Sequence, residues 1–255
     1  MSLREKIEPY IIYVIHCSGL AVFMFWVFDV VNKGLWYEFL IFLVCDLLFG
    51  AFGISGTFHR LFAHKSYEAP RWWHLVGGAF GTLALQGSSI AWASVHRQHH
   101  KFSDTPKDPH SPQIKGPWWV FFKTIFAKPN IKNSVDLLRD PLHLAFFKYY
   151  WHITITYLIA IGCFFGWRAL LFAWWMPICK IYFTSTFVNA WGHGWNIKGS
   201  KPTNSNFIGF ISMGEGWHQT HHQHSNHYRC HPVRYLFDVG SWPGYLFSKY
   251  KNKEN

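Results

Sequence analysis

Charged residues are scarce in this chain of 255 residues: Asp, Glu, Lys and Arg together make up 15%, against about 25% in a typical soluble domain. Acidic residues are the scarcer class, with 13 Asp and Glu against 24 Lys and Arg and a formal net charge of +11. A nucleic-acid binder has such a balance, but here the basic residues lie between and after long apolar runs. This arrangement favours a membrane protein over a nucleic-acid binder. Its basic face would meet lipid headgroups, an anionic acyl carrier or an acidic redox partner.

Cysteine pairs, a leader cleavage motif and internal repeats are all missing. None of the five cysteines forms a C-x-x-C pair, which argues against a disulfide framework or a thiolate zinc site. No small-residue cleavage motif follows the first apolar run, so we expect an uncleaved first span and not a signal peptide. Without repeats or a linker, the chain is expected to form one domain over residues 1–255.

Apolar residues, by contrast, make up 50% of the chain and aromatic residues 20%. A helix needs about 20 apolar residues to cross a bilayer. The sequence therefore predicts an all-α integral membrane protein with four transmembrane helices, at about residues 9–28, 39–58, 149–167 and 169–189. The distribution of Lys and Arg places both termini, and a helical domain built from about 59–148 and 190–255, on the cytoplasmic side.

Two charged residues interrupt these spans, Asp46 in the second and Lys180 in the fourth. An ionisable group inside a span is costly, so Asp46 is expected to face the interior of the helix bundle. It could serve there as a structural group or contact a substrate.

A fifth apolar run, residues 72–95, is also long enough to cross. If it crossed, the histidines before it and after it would lie on opposite sides of the membrane. We therefore expect it to be buried against the cytoplasmic domain or to lie in the interface, lining an acyl tunnel. Gly77, Gly78 and Gly81 would allow close packing there.

The 17 histidines are concentrated in short motifs. Two motifs have the pattern H-x-x-H-H; a third has two histidines five positions apart, and Asn189 lies four residues before a further histidine. These motifs contain His59, His64, His96, His99, His100, His193, His218, His221 and His222. A lone histidine on an apolar face is usually a hydrogen-bonded core residue, but chance does not account for repeated motifs. His110, His224, His227 and His231 lie near these motifs; we expect them at the surface, with a position behind the ligand histidines as the alternative.

The spacing has a physical meaning, because positions i, i+3 and i+4 share one face of a helix. Each H-x-x-H-H triplet could thus point its three imidazoles at one locus. His59 and His64 would be about 140° apart on an ideal helix, around a site and not on one stripe. Neutral imidazole binds iron, copper or zinc. Nine histidines exceed the ligands of one ion, so two metals are expected, and iron with open positions best suits O₂ chemistry.

These motifs resemble those of the membrane fatty acid desaturase family, specifically its acyl-CoA and acyl-lipid Δ9 branch, which includes stearoyl-CoA desaturase-like enzymes. The resemblance covers the chain from about the second span to Asp238. It is based on the motif around His59 and His64, on the two H-x-x-H-H motifs, and on the N-x-x-x-H element that begins at Asn189.

The resemblance implies a site with two Fe ions held by the nine motif histidines, with Asn189 contacting a metal through water. Gln86 and Trp92 stand where the family lines the bend of its acyl tunnel, and Ser185 stands where the family favours threonine. We expect Glu215 to orient a ligand imidazole, with a solvated helix cap as the alternative.

The implied reaction uses O₂ and two electrons to introduce a cis double bond, at Δ9, into a saturated fatty acyl chain. The carrier is open between acyl-CoA, acyl-ACP and acyl-lipid. Because the part after the last span contains no fused heme domain, we expect a separate electron donor, ferredoxin or cytochrome b5. The expected location is a bacterial inner membrane or the endoplasmic reticulum. The alternatives are a di-iron acyl hydroxylase, which the ligands do not exclude, and a histidine-rich membrane metal transporter.

Overall fold

A computed structural model describes residues 3–230 and 237–248 of the chain. The predicted solvated tail, Lys249 to Asn255, lies outside these residues. The described part is helical, and its only extended pairing is an isolated antiparallel bridge between Asn204 and Trp217. The all-α prediction is therefore confirmed for this part of the chain.

Four long helical stretches occupy the ranges predicted as spans. They are α1 (Leu3–Lys33), α2 (Trp36–Asp46) with the π-helical segment Leu47–Ala63 that continues it, α9 (Tyr150–Phe165), and the π-helical turn Leu171–Trp175 with α10 (Met176–Gly192). Two of them are long and apolar enough to cross a membrane, Lys6–Lys33 and Trp36–Ala63, and α9 is apolar but has 16 residues. The number of spans stays a prediction.

The rest of the described chain forms shorter helices joined by turns and loops. The longer of these are α3 (Arg71–Leu83), α4 (Ser89–Phe102) and α8 (Pro141–Lys148). The others are α5 (Pro112–Lys115), α6 (Pro117–Lys123), α7 (Val135–Leu138), α11 (Asn206–Ile211), α12 (His218–Gln223) and α13 (Trp242–Phe247), with 3₁₀ turns at Thr124–Phe126, Ile131–Ser134 and Val239–Ser241.

Ion pairs join the turns at one end of the long helices. Arg168, between α9 and α10, donates to Glu38 Oε1 at 2.6 Å and to Asp29 Oδ2 at 2.6 Å. Asp29 also pairs with Lys33 at 2.6 Å. Because Asp29 and Lys33 end α1 and Glu38 begins α2, the two connections lie side by side at this end of the bundle.

The fifth apolar run is two helices and not one. α3 ends at Leu83 and α4 begins at Ser89, with Leu85 and Gly87 between them at φ values of 56° and 97°. The left-handed backbone at these positions ends α3, and the Ser88 hydroxyl accepts from the Ala91 amide to cap α4. No single helix of membrane length forms here, and the position of this run relative to the membrane stays a prediction.

The glycines of α3 allow the close packing that their spacing predicts. A Cβ on Gly53 of the π segment would lie 2.6 Å from the carbonyl carbon of Phe80, and Gly81 lies against the ring of Phe58. α3 therefore packs backbone to backbone against the π segment, which ends at the first histidine motif.

The outer faces of the long helices are apolar. Phe25 and Phe28 of α1, Leu40 of α2 and Phe164 of α9 are each more than 60% exposed. Monomeric soluble proteins rarely expose continuous surfaces of this kind, whereas a bilayer core requires them. The chain is therefore a membrane-associated protein.

Candidate metal centre

Nine histidine side chains meet where the π segment, α4, α10 and α12 come together. Their nitrogens form two groups, and within each group the potential ligand atoms all lie within 4.8 Å of one another. The first group contains His59, His64, His96, His100 and His221, and the second contains His99, His193, His218 and His222. The nine predicted ligands are thus brought together, five to one group and four to the other.

Nε2 atoms face one another in the first group. Nε2 of His64 lies 2.8 Å from Nε2 of His96. Nε2 of His221 lies 3.0 Å from that of His59 and 3.0 Å from that of His100.

The second group has the same arrangement. Nε2 of His218 lies 2.8 Å from Nε2 of His193 and 3.2 Å from that of His222. Nε2 of His99 lies 3.3 Å from Nε2 of His222. Each group therefore presents imidazole nitrogens to a small common volume.

These spacings fit a pair of first-row metal ions. Two nitrogens bound about 2.1 Å from one ion at adjacent octahedral positions lie about 3.0 Å apart, and opposite ones about 4.2 Å apart. The neighbouring nitrogens given above lie 2.8–3.3 Å apart, close to the spacing of adjacent positions, and all nitrogens of a group lie within 4.8 Å. An all-imidazole donor set suits iron, copper, nickel or zinc and not magnesium or calcium.

Each H-x-x-H-H triplet contributes to both groups, which differs from the expectation of one locus per triplet. In α4, His96 and His100 belong to the first group and His99 to the second. In α12 the pattern is reversed, with His221 in the first group and His218 and His222 in the second. The i, i+4 pair shares a face, and the i+3 residue turns towards the neighbouring group.

The π segment places His59 and His64 next to each other. The His64 amide donates to the His59 carbonyl at 3.0 Å, an i→i+5 hydrogen bond, and the two rings lie 4.9 Å apart. A wider turn stacks residues five positions apart, whereas an α-helix would separate them by about 140°. The ideal-helix prediction is therefore wrong at this motif, and both imidazoles enter the first group.

Carboxylates hold the other ring nitrogen of three of these histidines. Nδ1 of His59 donates to Glu215 at 3.0 Å, Nδ1 of His99 to Asp108 at 2.9 Å, and Nδ1 of His193 to Asp104 at 2.7 Å. Such a bond fixes the tautomer that leaves Nε2 free for a metal and orients the ring. The sequence predicts this role for Glu215; it predicts no such role for Asp104 and Asp108, although both follow the second histidine motif closely.

Arg60 lies behind Glu215 and is fully buried. Its Nη1 donates to Glu215 at 2.6 Å and its Nη2 to Asp238 at 2.8 Å. Ser55 contacts both Arg60 and Glu215. Although Arg60 stands within the first motif, a basic residue between two histidines gives no sequence signal of this role.

Burial favours the neutral form of several of these histidines. Desolvation, followed by the charges of neighbouring imidazoles, lowers the pKa of His96, His99 and His218 well below the ordinary value. The same causes lower the pKa of His222 to about 3. Neutral imidazole is the form that binds metal.

The carboxylates respond differently to burial. Desolvation raises the pKa of Asp108 to about 6. Burial would also raise the pKa of Glu215, but the charges of Arg60 and His59 outweigh it and lower that pKa. For Asp104, burial is outweighed by the hydrogen bond from His193, so its pKa is lowered. Glu215 and Asp104 therefore stay anionic behind their histidines.

His110 does not lie at the surface, so the expectation for this residue is wrong. It is buried, its ring stacks on that of His99 at 4.2 Å, and its amide donates to Asp108 at 3.0 Å. His224 and His227 are exposed, as expected. His231 lies outside the described residues.

A channel leads from the histidines along the facing sides of two helical stretches. From α2 and the π segment it is lined by Asp46, Gly50, Ile54, Ser55 and His59, and from α10 by Lys180, Ile181, Thr184, Ser185, Val188 and Asn189. Lining residues on α2 and the π segment are spaced mainly four or five positions apart, and those on α10 three or four positions apart. These spacings match the π and α windings, respectively.

The residues expected to contact substrate or water occupy different places along this channel. Trp92, Ser185 and Asn189 line it. Gln86 is not among the lining residues; its Oε1 accepts from Trp92 Nε1 at 3.4 Å, and its Nε2 is buried without a partner. At the far end from His59, Lys180 pairs with the buried Asp46 at 2.7 Å, so Asp46 faces the interior as expected.

Fold and site together define a helical, membrane-associated protein with two groups of histidines that could each hold a metal ion. A family model described as fatty acid desaturase matches residues 37–238. The chain belongs to the fatty acid desaturase family and is an oxidoreductase of the desaturase type.

Curated relatives are 30–33% identical to the chain over the aligned residues. It is 30% identical over 208 residues to an sn-2 palmitoyl-lipid 9-desaturase of Nostoc sp. (strain 36), an alignment that covers 76% of this chain and 73% of the relative. It is 32% identical over 182 residues to an sn-1 stearoyl-lipid 9-desaturase of Anabaena variabilis, covering 68% and 66%. An acyl-CoA C20 Delta5-desaturase of Anemone leveillei is 33% identical over 206 residues, covering 74% and 63%. The chain thus spans about two thirds of the length of these relatives.

Proposed function

We propose that this protein is a membrane desaturase that introduces a cis double bond at carbon 9 of a saturated acyl chain, with O₂ and two electrons. The observation that carries the proposal is the pair of histidine groups at the end of a channel between two long helices. The alternative of a metal transporter would need ionisable residues along a path through the helices. Within the described channel the charges away from the histidines and Glu215 are Asp46 and Lys180, which bind each other.

Two iron ions would be held by the nine histidines, five on one ion and four on the other. Asn189 lines the channel beside His218 and would hold a water on the ion that has four imidazoles. Bound iron supplies the activation of O₂ and the removal of two hydrogens from adjacent methylenes. Glu215, Asp108 and Asp104 hold the imidazoles of His59, His99 and His193 in one tautomer and one orientation, so that these three imidazoles are oriented before an ion binds.

The channel would orient the acyl chain and exclude water. Ile54, Ile181 and Val188 give it apolar walls, which favour a hydrocarbon over water. Trp92 has its ring stacked on His96 at 4.9 Å, so a chain lying against Trp92 passes close to the first histidine group. The hydrogen bond from Trp92 to Gln86 would fix the indole where the tunnel bends, with Ser185 facing it from α10.

The relatives support carbon 9 and an acyl group carried on a lipid. Two of them are named for lipid-bound palmitoyl and stearoyl groups and for position 9. We adopt the acyl-lipid substrate for this chain over acyl-CoA and acyl-ACP. Electrons would come from a separate donor, ferredoxin or cytochrome b5, that meets the basic side of the protein.

We further propose four spans in a bacterial inner membrane or the endoplasmic reticulum, with the histidines on the cytoplasmic side. The paired turns at Asp29, Glu38 and Arg168 support this topology. They require α1, α2, α9 and α10 to share one end, opposite the end at which the π segment and α10 reach the histidines.

Expression in a desaturase-deficient host, followed by mass spectrometry of its fatty acids, tests the function. We expect new monounsaturated chains with the double bond at carbon 9. His221→Ala should abolish them, because His221 lies within 3.0 Å of two other ligand nitrogens. The matched control is His224→Ala, because His224 is exposed on the next turn and should leave the product unchanged.

Hydroxylated chains in place of alkenes would replace the proposal by the acyl hydroxylase. If iron is bound and a donor is supplied, a protein that makes neither the alkene nor the hydroxylated chain would contradict acyl oxidation altogether.

A further inference from the structure

An apolar groove lies on the outside of the helices, separate from the channel to the histidines. Its walls come from α1, α6 and α10, and include Leu20, Phe23, Trp118, Phe121, Phe183 and Phe187. Leu20 is 45% exposed and Trp118 is 64% exposed. A groove lined this way binds hydrocarbon better than any polar ligand.

The wall that α1 contributes to the groove lies near the middle of that helix. Leu20 lies 14 residues after Lys6 and 13 before Lys33, the limits of the apolar helix. If α1 crosses a bilayer, Leu20 and Phe23 therefore face its hydrocarbon core. The molecules available to the groove at this depth are the acyl tails of lipids.

Lys180 and Thr184 form a wall that the groove shares with the channel, because both side chains line both spaces. The Lys180 ammonium donates to Asp46 Oδ2 at 2.7 Å. Asp46 is buried, while the Lys180 side chain is 24% exposed. The Lys180 stem therefore lies beside the groove while its charge is neutralised within the protein.

Charge also limits what the groove can bind. Among the described residues that line it, Lys180 carries the single formal charge, and that charge is taken by Asp46. The phosphates of a CoA group would find no unpaired cation there. An ionisable pair at this depth is costly, and such residues usually mark a path that a substrate or ion follows.

We propose that this groove is a second binding site, which takes the hydrocarbon tail of a membrane lipid before the tail passes the Lys180 side chain into the channel. The proposal rests on the proposed function, since it names the route by which an acyl-lipid substrate reaches the histidines. The lipid headgroup stays at the membrane surface, and the tail enters sideways between α1 and α10.

A photoreactive lipid tests the groove without requiring turnover. The purified protein, in nanodiscs, is irradiated with a phosphatidylcholine that carries a diazirine in one acyl chain, and cross-links are located by mass spectrometry. A parallel sample receives acyl-CoA with the same diazirine-labelled chain. We expect the lipid to label Phe183, Phe187 or Trp118, and the acyl-CoA to leave these residues unlabelled.

Leu20→Trp fills the groove, and Leu40→Trp is its matched control, because Leu40 is 63% exposed on another apolar helix and does not line the groove. Leu20→Trp should reduce both groove labelling and the desaturation of lipid-borne chains by about tenfold, the effect of ~1.4 kcal/mol of lost binding. Leu40→Trp should change neither.

The outcomes separate the groove from the function. Equal effects of the two variants, labelling confined to other surfaces, or groove labelling by acyl-CoA would overturn the groove as a lipid site. Groove labelling in a wild-type protein that makes no unsaturated product would support the groove and count against the desaturase function.

Discussion

Three imidazoles of the two histidine groups each have one ring nitrogen bonded to a carboxylate, and this pairing has a measurable consequence for a single residue. Asp104 accepts from His193 Nδ1 at 2.7 Å, and His193 belongs to the group of four histidines. Asp104→Asn replaces the anion with a neutral amide of the same shape. We expect iron affinity to fall about 10- to 100-fold, because the imidazole is less firmly oriented and less basic.

Iron per chain, measured after dialysis against a series of chelator concentrations, checks this expectation. Glu68→Gln is the control, because Glu68 is an exposed carboxylate. Equal iron retention in the two variants would show that Asp104 does not support the centre.

The buried ion pair between Asp46 and Lys180 gives a second prediction for single residues. Lys180→Met leaves the Asp46 carboxylate buried without its cation, and breaking such a pair costs about 3–5 kcal/mol. Asp46→Leu together with Lys180→Met removes both charges and should recover most of that loss. Thermal unfolding in detergent measures the comparison, and a double variant less stable than Lys180→Met would contradict it.

Among the elements, the contact between α3 and the π segment depends on Gly53. A Cβ at this position would lie 2.6 Å from the backbone of Phe80, so the helices would have to move apart. Overpacking of this kind costs about 1–3 kcal/mol. We expect Gly53→Ala to lower the free energy of unfolding by that amount and to reduce iron content, because the π segment carries His59.

Gly50→Ala is the comparison for this element. The three atoms nearest to a Cβ there belong to side chains, the closest being Ile181 Cγ1 at 3.0 Å, so a shift of a few tenths of an ångström suffices and the helix backbones need not move apart. A loss of stability equal to that of Gly53→Ala would show that backbone approach is not the cause.

The elements also show how far local sequence patterns predict the site. Histidines at i, i+3 and i+4 identify the ligands of α4 and α12, because a short spacing on a helix has only one geometry. The division of each triplet between two groups depends on how α4 faces α12, and no local pattern contains that information. The placement of His59 and His64 depends on a π winding, whose i→i+5 bonds arise from tertiary packing and leave no mark on the apolar periodicity.

Asp104 and Asp108 lie between the features that a local sequence pattern predicts and those that it cannot predict. Both stand just after the second motif, where an acidic residue close to a ligand histidine is a usable signal. His110 could not be distinguished from His224 by position alone, because burial separates them and burial is a property of the folded chain.

For the whole molecule, the buried histidines predict how stability depends on pH. The pKa of each of His64, His96, His99, His218 and His221 is well below 6.5 in the folded protein, and is near 6.5 when the chain unfolds. Below pH 6.5 the unfolded chain therefore binds more protons. The metal-free protein should lose up to about 1.4 kcal/mol of stability per histidine for each pH unit.

Two carboxylates act in the opposite sense. Burial raises the pKa of Asp108 and of Asp238 to about 6, so between about pH 6 and 4 they bind more protons when folded. Two carboxylates cannot offset five histidines, so the free energy of unfolding should still fall as the pH is lowered. Urea unfolding of the metal-free protein in detergent at pH 7.5, 6.5 and 5.5 measures the trend, and a midpoint that does not fall would contradict it.

The overall arrangement in the membrane is testable by labelling. In a variant whose native cysteines are replaced by serine, single cysteines at Lys33 and Trp167 should react with an impermeant maleimide from outside intact cells. Cysteines at Lys101 and Lys201 should react only in inverted vesicles. Labelling of Lys33 and Lys101 from the same side would exclude the proposed topology.

Each H-x-x-H-H motif contributes histidines to both groups, and this has a consequence for how the metal centre is loaded. α12 is six residues long and supplies His221 to one group and His218 and His222 to the other. An ion captured by either group must immobilise α12, and thereby arrange the nitrogens that its neighbour needs. The two ions should accordingly load as a unit, with a sigmoidal iron titration and almost no singly occupied protein, so that limiting iron leaves some molecules complete and the rest empty.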